Sequence, residues 1–448
     1  MTTFPKYERY KDSGVEWLGD VPGHWESERV FSAFNERVET GHPGLPNLNI
    51  TIGRGVQIEE FEGVRKKRLI EDLNAYKRAA KGDIAYNTMR MWQGAVGDVP
   101  VDGLVSPAYV VARPIKPINS RFYSYLFRTE TFQTETNRHS YGIVSDRNRL
   151  YWLGFKNIVI PIPSREEQDR IVAFLDQKTA GIDALIAKKQ RQIELLDEQK
   201  AILINRAVTR GIVNEEFGMR NEHLSSSSHS TFTTHHSKFS PSGIEWIGDI
   251  PEHWVTAPMY SRCDVRLGKM LDAAKIKGKH LQPYLRNTDV QWFEINSLDL
   301  PMMDFRPEEY ERYSVKRGDL VVCEGGEPGR AALWDSDEPC FFQKALHRVR
   351  PLKGDDPRFL LYLFRNAVTM AAFSGVDKAT IAHLTGEQLK RFRFAFPPVT
   401  EQAGIAAYLT KAQLRFSETT QRIESHIDSL NTLRSTLIAH AVTGRIKV

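Results

Sequence analysis

The chain has 448 residues and a formal net charge of +5. That is length enough for two cores of ordinary size, and a positive surplus that points to an acidic partner only where basic residues cluster. Met1 to Tyr10 is polar and charged and no apolar run approaches a membrane span, so neither a leader nor an anchor is expected, and a soluble cytoplasmic protein is. The cysteines Cys263, Cys323 and Cys340 all fall in the second half, at positions the first half fills otherwise. They serve no duplicated disulfide or zinc framework, and buried thiols in a reducing compartment are expected.

Residues 1–164 are rich in glycine, proline and aromatics. Strand-length runs such as Val110–Ala112 and Ile158–Ile162 occur here, with a turn at Lys81-Gly-Asp83. Phe122 to Phe132 has helical spacing. Helices and strands do not alternate, so the domain reads as α+β and not as a parallel α/β sheet. Residues 165–210 change texture: between Glu166 and Val208 there is one glycine and no proline. Ser164 with Glu167 reads as a capping box opening a helix of roughly 60 Å. Residues 211–238 form a polar linker with four consecutive serines and His223, His229, His235 and His236. Their spacing matches no zinc pattern, so no metal is expected.

The pattern then repeats. Residues 239–398 form a second α+β domain, with the run Leu320–Val322, the turn Arg317-Gly-Asp319 and helical spacing from Arg358 to Phe373, and residues 399–443 form a second long helix. Ser13-Gly-Val-Glu-Trp-Leu-Gly-Asp-Val-Pro-Gly-His-Trp25 returns at a shift of 229 as Ser242-Gly-Ile-Glu-Trp-Ile-Gly-Asp-Ile-Pro-Glu-His-Trp254. Glu167-Gln168 and Ala207-Val-Thr209 return at a shift of 234 as Glu401-Gln402 and Ala441-Val-Thr443. Ile193, Leu196 and Leu203 on the first helix, and Ile423, Ile427, Leu430 and Leu437 on the second, step by threes, fours and sevens. Such stripes predict that the two helices pair as an antiparallel coiled coil with pseudo-two-fold symmetry. The bland alternative is that each helix folds back on its own domain.

No catalytic motif is found. Gly325-Gly-Glu-Pro-Gly-Arg330 lacks the lysine of a phosphate loop, and Glu198-Gln-Lys200 lies mid-helix without a strand to hold a second carboxylate. His24 and His253 each sit beside a tryptophan and a proline, as in a packed corner. What remains is binding. Candidate DNA contacts in the first copy are Arg54, the run Arg65, Lys66, Lys67 and Arg68, the loop residues Arg90, Trp92 and Gln93, and Arg147, Asn148 and Arg149. In the second copy they are Arg266, Lys269, Arg286, Asn287, Glu327, Arg330 and Lys378. Cations neutralise phosphates, while forked donors and acceptors read base edges. Arg90-Met-Trp-Gln-Gly and Glu324 to Arg330 each follow a strand-like run after matching turns, so equivalent loops with unlike residues are expected.

Taken together, the two Trp-Leu/Ile-Gly-Asp-Val/Ile-Pro-x-His-Trp openings, Pro163-Ser-Arg-Glu-Glu-Gln168 and Pro398-Val-Thr-Glu-Gln402, and the two Ala-Val-Thr-x-x-Ile endings resemble the specificity subunit of type I restriction–modification enzymes. The resemblance implies a non-catalytic subunit of an antiviral restriction system. Each domain would recognise one half of a bipartite site on double-stranded DNA, and the helices would set the spacing. It implies two methyltransferase subunits as partners and, through them, restriction and translocase subunits. S-adenosylmethionine, ATP and magnesium would belong to those partners, and this chain would hold no cofactor. The competing expectation is a regulatory or decayed coiled-coil adaptor that binds only protein.

Overall fold

The computed structural model describes residues 4–59, 73–142, 148–212, 238–271, 278–373 and 383–448. The chain forms two compact units, Met1–Gln190 with Ile423–Val448, and Arg191–Arg422. Each therefore contains one α+β domain and a stretch of both long helices.

In the first unit, four antiparallel strands, β1 (Phe34–Glu36), β2 (Ile84–Asn87), β3 (Val96–Asp98) and β4 (Tyr109–Pro114), are ordered β1-β4-β2-β3. Every residue of β2 is buried. Successive strand residues face opposite ways, so Ile84 and Tyr86 enter a core with Phe122 and Phe127 of helix α1 (Ser120–Phe127), while Ala85 joins a smaller core with Leu48, Ile50 and Val111. Burying an aromatic side chain of this kind stabilises by about 2 kcal/mol or more. The helical spacing from Phe122 to Phe132 belongs to two helices. The chain breaks at Arg128–Thr129, where the Thr129 hydroxyl accepts from Phe132 N and caps Glu130–Arg138.

The second unit repeats the plan. Strands β5 (Cys263–Leu267), β6 (Leu320–Cys323), β7 (Ala331–Leu333) and β8 (Leu346–Pro351) are ordered β5-β8-β6-β7, all antiparallel. Leu320 and Val322 face the aromatic core, and Val321 and Cys323 face the second one. A further four-stranded sheet, ordered Met302–Asp304, Leu281–Leu285, Cys340–Phe342, Ser314–Val315, packs beyond it. All three cysteines are buried and unbridged, and burial pushes the Cys263 and Cys340 thiols up to about 12.

The long helices are α2 (Arg165–Arg210) and α4 (Val399–Val442). They pack together, antiparallel within each unit. In the first, Lys189 Nζ lies 3.3 Å from His426 Nδ1 and Asp183 lies 3.3 Å from Arg434, so one helix's numbers climb as the other's fall. In the second, Leu203, Ile204 and Ala207 share a core with Ile405, Leu409 and Ala412. Leu203 and Leu437 are buried; Ile193, Leu196, Ile423, Ile427 and Leu430 are half-buried. A helix of this length is stable because its apolar stripe is covered, since propensity alone leaves it marginal.

Candidate nucleic-acid interface

The repeated motifs converge at a junction in each unit. Glu167, in the first turn of α2, accepts from the Tyr7 hydroxyl at 2.6 Å and lies 2.9 Å from His24 Nε2. Burial alone would raise its carboxyl pKa, but the hydrogen bonds from Tyr7 and His24 prevail and hold it below the usual range. Ser164 Oγ accepts from Glu167 N, so one half of the capping box is present. The other half is replaced, because Tyr7 and His24 take the carboxylate. The neighbouring Gln168 donates to Pro163 O and accepts from Asn119 N, the N-cap of α1.

The second junction has the same parts. Glu401 lies 2.9 Å from His253 Nε2 and accepts from Trp254 Nε1 at 3.1 Å. Gln402 donates to Pro397 O and accepts from Asp356 N, the N-cap of helix α3 (Pro357–Thr369). Each junction is completed by the helix end of the other copy. Ala441, Val442 and Ile446 pack with Val21 and Trp25, while Ala207 and Val208 pack with Ile250 and Trp254. His24 and His253 are thus corner residues braced by carboxylates.

From this scaffold the β2–β3 and β6–β7 hairpins present their loops. The loops are equivalent in backbone terms: Leu150 N donates to Thr88 O in one, and Leu384 N to Glu324 O in the other. In the first, Arg90 is exposed, Trp92 is half-buried with Nε1 donating to Met89 O, and Gln93 is half-buried. Gly94 closes the turn at φ +83, a left-handed conformation that suits glycine. Arg54 is exposed in the hairpin linking Leu48–Thr51 to Gly55–Ile58, Asn148 donates to Asn137 Oδ1, and Arg149 is exposed beside Tyr141. Among the described residues, Arg54, Arg90 and Arg149 have no ion pair. Sequence reading missed Arg128, half-buried near the Gly55 turn, whose pKa is pulled down by burial and then by Arg434. No local sequence signal marks it.

In the second loop the structure brings Asn287, Glu327 and Arg330 together. Asn287 Nδ2 donates to Gly325 O at 2.9 Å, Arg330 donates to Asn287 O at 3.1 Å, and Glu327 accepts from Trp292 Nε1 at 3.2 Å. Asn287 Oδ1 and Arg330 Nε are buried there without a hydrogen-bond partner. Trp292, also missed, forms with Phe293 a two-residue hairpin lacking the usual glycine or asparagine, and that irregularity was its available signal. Three other candidates are tied up internally. Lys269 donates to Asp304 O and Glu309, Arg286 pairs with Asp289, and Arg266 with Asp264. Arg65, Lys66, Lys67, Arg68, Arg147 and Lys378 lie outside the described residues, as do the linker histidines. Among the described residues no cluster of three or more His, Cys, Asp or Glu able to hold a metal is found, and no helix is long and apolar enough to cross a membrane.

A family described as the type I restriction modification DNA specificity domain matches residues 51–195 and 251–428. The chain belongs to this family. It is accordingly a specificity subunit of the type I restriction–modification kind, the non-catalytic subunit. It is similar to the type I restriction enzyme MjaVIII specificity subunit of Methanocaldococcus jannaschii, 24% identical over 269 residues, with 57% of this chain and 55% of that one covered. The match spans about half the length of that relative. Among solved structures, a chain from work on complex assembly and conformational transition of the type I R-M system superposes with a TM-score of 0.71 at 16% identity, covering 94% of this specificity-family chain and 98% of that one. The HsdS subunit from Thermoanaerobacter tengcongensis gives a TM-score of 0.55 at 17% identity, with 95% and 98% covered. At those identities the likeness concerns fold.

Proposed function

We propose that the chain reads a bipartite site on double-stranded DNA, one domain to each half, with the paired helices fixing the gap. Methyltransferase subunits, and through them restriction subunits, dock on it, and S-adenosylmethionine, ATP and magnesium serve those partners in the cytoplasm. One observation carries this reading. The same sheet presents the same hairpin loop twice, from matching junctions, but with unlike residues at the tip. A duplicated reader with altered tips suits a target whose halves differ. Exposed arginines on the first domain supply phosphate contacts. The helices also leave Leu185, Leu195, Leu414 and Leu433 exposed, which supports protein partners along them.

Exchange of residues 1–163 for those of another family member tests independent reading. The exchange should change one half of the selected site and leave the other; a change in both refutes one domain per half. Removal of seven residues from each long helix should shorten the tolerated spacer by about 10 Å, roughly three base pairs. An unchanged spacer refutes the ruler. An adaptor that binds only protein would select no DNA sequence at any salt concentration.

A further inference from the structure

We propose that Glu327 selects a cytosine in the half-site read by the second domain, an inference that rests on the DNA-reading role given above. Glu327 sits in the β6–β7 loop with its side chain 42% exposed. Its carboxylate is aimed by its surroundings. Trp292 Nε1 lies 3.2 Å from each oxygen, and the Arg365 guanidinium covers the Trp292 ring at 4.8 Å from the centroid. Phe293, the other residue of that tight hairpin, holds φ +67, against the preference of a bulky side chain. Its ring packs on Tyr362 at 5.4 Å, so aromatic packing maintains the unusual turn that places Trp292 beside the carboxylate. Arg330 approaches only to 4.0 Å and donates instead to Asn287 O, leaving the carboxylate most of its acceptor capacity.

An ionised carboxylate is acceptor-only, and beside DNA it is repelled unless a donor meets it. In the major groove, guanine N7 and O6 and thymine O4 are acceptors and would repel it. Cytosine N4 and adenine N6 carry donors. Adenine sets the N7 acceptor beside its amino group, against the second carboxylate oxygen, whereas cytosine places no acceptor on that side. Cytosine is the base this group favours. The equivalent loop of the first domain offers Arg90 and Gln93 and no carboxylate, so the two domains should differ at the corresponding base pair.

The test is selection of duplexes randomised over both half-sites, using the full chain with its methyltransferase subunits. Glu327→Gln retains an acceptor for Trp292 and can pair with adenine N6 and N7 together. It should convert one cytosine of one half-site to adenine, by roughly tenfold or more in selectivity. Glu327→Ala should leave that position unselective, and the other half-site should be unchanged in both variants. Thermal unfolding of Glu327→Gln should match the parent. If Glu327→Gln selects the parental sequence with parental stringency, or alters only stability, Glu327 is a loop brace and the inference is overturned while DNA reading stands. If the parent chain selects no sequence, the DNA-reading role fails and the inference with it.

Discussion

The two junctions and the two hairpin loops are both products of duplication, yet they have diverged to very different degrees. At the junctions the same residue types do the same jobs: a glutamate braces a histidine, and a glutamine bridges a proline carbonyl and a helix cap. In the loops, Met89 to Gly94 and Gly325 to Arg330 share a backbone position and almost no side chains. The junction residues are fixed by each other, because each glutamate and glutamine there is held by hydrogen bonds to partners within the same unit. The loop residues have contacts of their own, Trp92 to Met89 O in one and Asn287 to Gly325 O in the other, but the two loops do not share them. On the DNA-reading role proposed above, their differences answer to the two half-sites.

The largest expected effect contrasts a junction glycine with a loop glycine. Gly444 has φ +74, and a Cβ there would lie 2.3 Å from Pro22 Cδ and 3.1 Å from Trp25. Neither ring can retreat from a packed core, so Gly444→Ala should combine backbone strain with overpacking and destabilise by about 3 kcal/mol. Gly94 has φ +83, but its Cβ would meet only the amide end of the Gln133 side chain, which can swing aside by giving up its hydrogen bond to Arg128 O. Gly94→Ala should therefore show mainly the backbone penalty, about 1 kcal/mol. Urea unfolding of both variants checks the order; equal losses would show that the loop is held as tightly as the junction.

The next effect lies in Glu167. Glu167→Ala leaves the Tyr7 hydroxyl without its acceptor and should destabilise by about 2 kcal/mol at neutral pH. Because the folded carboxyl pKa is held below its ordinary value, the stabilisation is complete above the unfolded carboxylate pKa of about 4.3. It is lost as pH falls through the lower folded value. The difference between parent and Glu167→Gln should accordingly shrink on acidification below pH of about 4, measured by unfolding at a series of pH values. A constant difference would mean that His24 and Tyr7 do not depend on the charge.

What the sequence made legible follows the same division. The junction motifs stood out because identical packing demands preserved identical residues, and the central strands stood out because both their faces are buried. That the Ala441 ending closes the junction of the opposite copy was not legible, since the pairing joins residues more than 400 positions apart. Nor was the internal use of Lys269 and Arg286. A basic residue reads the same in sequence whether it faces a phosphate or a neighbouring carboxylate.

That ambiguity supplies the smallest and most discriminating prediction. Lys269 Nζ lies 2.7 Å from Glu309 and 2.8 Å from Asp304 O, and its ammonium sits 5.1 Å from the Phe305 ring centroid. Burial works to raise the Glu309 carboxyl pKa, but hydrogen bonds from Lys269 and Arg306 prevail and lower it to about 2. The pair's contribution is therefore present above a pH of about 4.3 and fades toward pH 2. Lys269→Met should lower stability by about 1 kcal/mol and leave the salt dependence of DNA binding unchanged. Arg90 is exposed, with no ion pair among the described residues. Arg90→Ala should leave stability within about 0.5 kcal/mol and reduce the slope of log affinity against log salt by about one. If Lys269→Met lowers the slope instead, its tether to Glu309 opens on DNA, and a residue placed with the scaffold belongs with the readers.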